Sequence, residues 1–248
     1  MWPHPRAFVQ AIAAITMACW CAGCGGESRE KGERETPAEA TQVAEVEIPA
    51  SFEDIEPEAV YATVCAACHG EEGAGNPALG APSLAGMPKW MVREQTGKFR
   101  DGLRGAHPED PYGQQMKAIA QLLSETQIEA AAETVSAFEP FPTARSEGDV
   151  DIDPGRYLFA NRCMECHRYT GTGEIVFHSA PLVYLDPPYL ERSLRNYREG
   201  KRGAVEGDLY GQKMVDVASR LSDEQIEQLV AYIGELAHGD DPRPARER

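Results

Sequence analysis

No long, unbroken apolar run occurs in this chain of 248 residues. Its most apolar stretch, Ala7 to Ala18, is interrupted by Gln10 and falls short of the 20 or so residues that a membrane-spanning helix needs. Basic residues are in deficit: 24 Lys and Arg face 40 Asp and Glu, for a formal charge of −16, which makes nucleic acid a poor partner. Alternating strand patterns are missing, and no βαβ pattern surrounds either Cys-x-x-Cys, which argues against thioredoxin-like redox chemistry. Seven cysteines are present. Cys19, Cys21 and Cys24 lie near the start and the other four in two short motifs, leaving no pair for a structural disulfide.

Those motifs are Cys65-Ala-Ala-Cys68-His69 and Cys163-Met-Glu-Cys166-His167. Cys-x-x-Cys-His is the attachment sequence of haem c: the cysteine sulfurs form thioethers to the vinyl groups of one porphyrin, and the adjoining histidine reaches the iron. A zinc reading fits worse, because each motif supplies three ligands where a structural zinc site closes with four. Two covalently bound haem c groups are expected.

An offset of 98 residues carries the first motif onto the second and continues without a gap. It superposes Arg100-x-Gly102-x-Arg104-Gly105-Ala106 on Arg198-x-Gly200-x-Arg202-Gly203-Ala204, and Tyr112-Gly113-Gln114-x-Met116 on Tyr210-Gly211-Gln212-x-Met214. One unit is used twice. The register also selects the second axial ligand. Met116 and Met214 face each other, whereas Met87, Met91 and Met164 fall opposite Leu185, Tyr189 and Ala66. His107 and His178 fall opposite Val205 and Gly80, so a bis-histidine iron lacks a matched pair. Met116 and Met214 are therefore the expected distal ligands, opposite His69 and His167.

The expected organisation follows from composition. Residues 1–23 read as an export signal, and Ala22-Gly23-Cys24 resembles the end of a bacterial lipobox, making Cys24 the candidate lipidated residue; ordinary signal cleavage would leave a soluble periplasmic protein. Residues 24–54, acidic and poor in large apolar groups, read as a disordered tether with a span of about 30 Å. Then come domain 1 (55–138), a Pro- and Gly-containing linker (139–152), domain 2 (153–237) and a polar tail (238–248). Each domain, at about 80 residues, has a thin core unless a porphyrin fills it.

Inside the units the pattern is helical. Ile226, Leu229, Val230 and Ile233 recur at helical spacing, and Ser222 to Gln225, like Ser124 to Gln127, has capping-box spacing. Asp153-Pro154 and Asp186-Pro187-Pro188 read as helix starts. The expected fold class is all-α.

On these motifs, together with the Ala81-Pro82-Ser83-Leu84 loop and Phe99-Arg100-Asp101-Gly102, the chain resembles the class I cytochromes c, in particular the bacterial members with two tandem domains and two haems. The resemblance implies that the carbonyls of Pro82 and Pro181 accept a hydrogen bond from the second ring nitrogen of each haem-ligating histidine. The second copy departs from the first at several points: Pro181 is displaced by one from Pro82 in the register, Arg168-Tyr169 replaces Gly70-Glu71, and Tyr232 faces Thr134, with Phe138 one turn on. Two unequal haems are expected.

Closed His/Met coordination points to one-electron transfer between redox protein partners, donor and acceptor, at a membrane outside the cytoplasm, with no small-molecule substrate and no enzymatic activity. A di-haem peroxidase or a haem-based sensor would need a distal position that opens. A fixed subunit of an oxidase or dehydrogenase complex is the alternative setting for the same module.

Overall fold

In a computed structural model, residues 51–239 are described. The signal segment, Cys24, residues 24–50 of the tether and the tail beyond residue 239 lie outside the described residues. Among the described residues the elements are helical, apart from two isolated bridges, and no helix is long and apolar enough to cross a membrane.

Each copy is built from the same parts. A π-helical turn, Tyr61–Cys65, leads into α1 (Ala66–His69); after a loop come α2 (Lys89–Arg100), α3 (Pro111–Gln121) and α4 (Glu125–Ala137). In the second copy α5 (Asp153–Leu158) feeds a π-helical turn, Phe159–Cys163, then α6 (Met164–His167), α7 (Pro187–Arg198), α8 (Leu209–Ala218) and α9 (Asp223–Ala237). The starts of α2, α3 and α4 map onto those of α7, α8 and α9 by the same offset of 98 that relates the motifs.

Local chemistry sets these boundaries. The Ser124 and Ser222 side chains each accept from the amide three residues on, while Gln127 and Gln225 bond back, closing a full capping box at both final helices. Asp110 and Asp208 cap α3 and α8 by accepting from Gly113 and Gly211 at 3.1 and 3.0 Å. These two helices carry Met116 and Met214.

The final helix of each copy packs against the segment that leads into its Cys-x-x-Cys-His turn. In domain 2, α9 buries Ile226, Leu229, Val230 and Ile233 against Leu158 and Phe159. In domain 1, α4 buries Ile128 and Ala131 against Val60 and Phe52. The aromatic contact survives a change of position: Tyr232 packs on Phe159 at 5.5 Å between ring centroids, and Phe138, one turn beyond Thr134, packs edge-on against Tyr61 at 5.1 Å.

Phe52 moves the expected start of domain 1. Placed in the tether by its acidic neighbours, it is 3% exposed, and Gln127 Nε2 donates to the carbonyls of Phe52 and Ile55 at 2.9 and 2.8 Å. The linker is tied down at one point. Thr143 is buried, its amide donating to Val183 O at 2.8 Å and its hydroxyl to Leu182 O at 3.0 Å.

Candidate functional site: a cavity lined by two histidines and two methionines

A cavity with about 2040 Å³ of atom-free space, its open mouth included, contains His69 and Met116 of the first copy and His167 and Met214 of the second along its lining. Cys163 and Cys166 also line it. Cys65 and Cys68, half-buried, sit one turn before His69 and directly before it, respectively. Burial pushes the Cys65 and Cys163 thiols up to about 12.

His69 Nδ1 lies 2.9 Å from Pro82 O, and His167 Nδ1 lies 2.9 Å from Ala180 O. A carbonyl only accepts, so Nδ1 carries the proton and Nε2 keeps its lone pair for a ligand. Burial pushes both imidazoles below their ordinary value, against the opposing effect of those carbonyls, and so favours the neutral, ligating form.

The second acceptor corrects the expectation for Pro181. Each acceptor stands 13 residues after its histidine, so the bond follows the backbone register and not the proline. The acceptor is a main-chain group, and alanine supplies it as well as proline does. Pro181 is instead a fully buried packing residue. The register is locked by a close approach: a Cβ on Gly75 would fall 2.5 Å from Ser83 N, and one on Gly173 2.4 Å from Ser179 O, with both glycines at positive φ. Their amides also hold the histidine carbonyls, at 2.8 Å for Gly75 and 3.1 Å for Gly173.

Between the two sites lies a cluster that sequence periodicity did not reveal. Arg104 donates to Tyr189 Oη at 2.8 Å and to Gln95 at 2.9 Å, while Arg202 donates to Tyr189 Oη, Ser193 and Gln95 at 3.2, 3.0 and 3.2 Å. Arg104 and Arg202 are repeat mates, as are Gln95 and Ser193, so both domains contribute matched positions to the cluster. Burial opposes ionisation of Tyr189, yet the charges of Arg104 and Arg202 outweigh it and bring the phenol down to about 7. Other cross-domain bonds flank it: Arg192 donates to Gly80 O at 2.6 Å over the ring of Tyr112, and Glu94 meets His178 at 2.5 Å, with His178 stacked on Tyr210. Arg195 and Arg198 are surface residues paired with Asp223.

The donor set fits haem. Among the described residues no group of three or more His, Cys, Asp or Glu side chains converges as a metal site, whereas each copy places a neutral imidazole and a thioether sulfur on the lining of one cavity, with a Cys-x-x-Cys pair just ahead of the histidine. Bound there, haem c supplies an iron that changes by one electron.

Two such helical units in one chain define a di-haem electron-transfer protein, and the chain belongs to the cytochrome c family, whose profile matches residues 56–133 and 152–237. It is 32% identical over 196 residues, 75% of this chain and 82% of the relative, to a thiosulfate dehydrogenase electron acceptor of Thiomonas intermedia (strain K12). Among solved structures it is similar to reduced recombinant cytochrome c4 from Pseudomonas stutzeri, with 27% identity, a TM-score of 0.58 and coverage of 72% of this chain and 95% of that one. It is also similar to thiosulfate dehydrogenase (TsdBA) from Marichromatium purpuratum in its as-isolated form, with 32% identity and a TM-score of 0.57; there the match covers 68% of this chain and spans only 36% of the longer one.

Proposed function

We propose that this di-haem protein accepts single electrons from a dehydrogenase of the thiosulfate-oxidising type and passes them to a membrane-associated acceptor, without catalysing a reaction of its own. The observation that carries this reading is the Thiomonas relative, which shares most of its length with this chain and is described as such an acceptor. In this reading Cys65, Cys68, Cys163 and Cys166 hold the porphyrins, His69 and His167 are the proximal ligands, and Met116 and Met214 close the distal side. Ala22-Gly23-Cys24 supports export and lipid anchoring at Cys24 on the periplasmic face of a bacterial membrane.

The test is stopped-flow mixing of the oxidised holo-protein with a thiosulfate dehydrogenase and thiosulfate. Reduction of the haem spectrum only when both are present is the expected result; no reduction contradicts the assignment of the donor. A second setting, permanent association with the dehydrogenase, is favoured by the Marichromatium chain, in which the matched region is part of a longer polypeptide. Co-purification in a fixed ratio from solubilised membranes distinguishes it from a mobile carrier.

A further inference from the structure

Exposed apolar side chains are unevenly divided between the two domains. Among the described residues, every large apolar side chain with high exposure, apart from Phe141 in the linker, belongs to the second domain. Three of them are consecutive: Ile175, Val176 and Phe177 are 52%, 72% and 39% exposed. Their counterparts in the first domain are Pro77, Ala78 and the partly buried Leu79. A run of three exposed apolar neighbours is a liability unless something covers it.

The run is held in place. Ile175–Phe177 forms a single 3-10 turn, closed on both sides by the Glu174 and Ser179 backbones at 3.2 and 3.1 Å. Ser179 Oγ donates to Cys166 O at 2.5 Å, which braces the turn on the segment carrying His167. Phe177 lines the cavity together with Cys166, Met214, Arg162 and Lys213, so the apolar tip stands at the cavity rim on the second-domain side.

The charge of this rim differs from that of the rest of the chain. Arg162 and Lys213 are exposed and form no ion pair among the described residues; Lys213 rests 4.9 Å over the ring of Tyr210. Neighbouring Arg168, in contrast, is neutralised by Glu174 at 3.0 Å. The first-domain counterparts of Arg162 and Lys213 are the neutral Val64 and Gln115. Two uncommitted cations outweigh the exposed Glu165 here, whereas Glu58, Glu71 and Glu72 flank the first histidine motif in a chain of formal charge −16.

We propose that the Ile175–Phe177 tip with Arg162 and Lys213 is the docking face for the external redox protein: a partner with an acidic rim around an apolar patch, which exchanges electrons with the second domain and not the first. Such a partner is attracted to this rim and repelled by the acidic first domain, and the apolar tip holds the complex once it has formed. Each encounter moves one electron, oxidising the partner's redox group and reducing the ferric iron of the second domain, with no bond made or broken. The proposal rests on the carrier reading above.

The test compares holo-protein of wild type, the double variant Ile175→Asp/Val176→Asp and the counterpart control Ala78→Asp. With thiosulfate dehydrogenase and thiosulfate as reductant, the expected result is a bimolecular rate that falls with added salt in the wild type. The rate should be at least about tenfold lower in the double variant and unchanged in Ala78→Asp, with dithionite reduction alike in all three. Equal rates in all three overturn the proposal. If the dehydrogenase does not reduce wild type although dithionite does, the donor assignment fails and a second probe decides: a gold electrode coated with mixed methyl- and carboxylate-terminated thiols. Interfacial electron transfer slowed about tenfold in the double variant alone then supports the docking face, and equal rates overturn it. Sedimentation that shows wild-type self-association abolished by the double variant makes the tip a contact between copies, which also overturns the proposal.

Discussion

Tyr189 of the second domain receives a hydrogen bond from Arg104 of the first at 2.8 Å, and from Arg202, the repeat mate of Arg104, at 3.2 Å. One phenol therefore joins two guanidinium groups across the domain boundary, beside the cavity that contains both histidines. Its counterpart in the first domain is Met91, so the device exists in one copy only.

Replacing Tyr189 with Phe removes a shared acceptor from two enclosed cations. Bonds to charged groups contribute about 1.5–3 kcal/mol, and the variant should lose a comparable amount of stability. Urea unfolding followed by circular dichroism measures it; an unchanged midpoint and slope would show that the bridge does not hold the domains together.

Met116 and Met214 each belong to one site. Changing either to Ala should remove about half of the sulfur-to-iron charge-transfer absorption and leave the other half, since axial ligand identity governs each iron separately. Full absorption in both variants would mean that other side chains cap the irons.

The two sites should have different reduction potentials. Tyr61 Oη donates to Gly70 O at 2.7 Å beside the first motif, where the second has Phe159, which has no hydroxyl, and Arg168 at φ 66° in place of Gly70. Hydrogen bonding and burial around the ligands are levers on potential. A spectroelectrochemical titration should require two potentials, and a fit by one would show that these differences do not reach the irons.

Much of this arrangement is legible in the residues themselves. The offset of 98 relates the helices of the two copies as it relates Cys65 to Cys163, because one helical unit recurs without insertion. Serine and glutamine three apart mark both final helices because capping is local chemistry. The failures are equally physical. Proline drew attention to Pro181, but the bond to His167 needs only a carbonyl at the right register, which Ala180 supplies. Phe52 stands among acids, and it is buried in a cluster with Ile128 and Ala131, far along the chain. The Arg104–Tyr189 pair joins positions 85 apart in different domains, a relation that no periodicity encodes.

The most direct test of the whole account is peptide mass mapping of the mature holo-protein together with a pyridine haemochrome. The expected result is two haems per chain, one covalently carried by the peptide containing Cys65 and Cys68 and one by that containing Cys163 and Cys166. One haem, or none attached through sulfur, would contradict it.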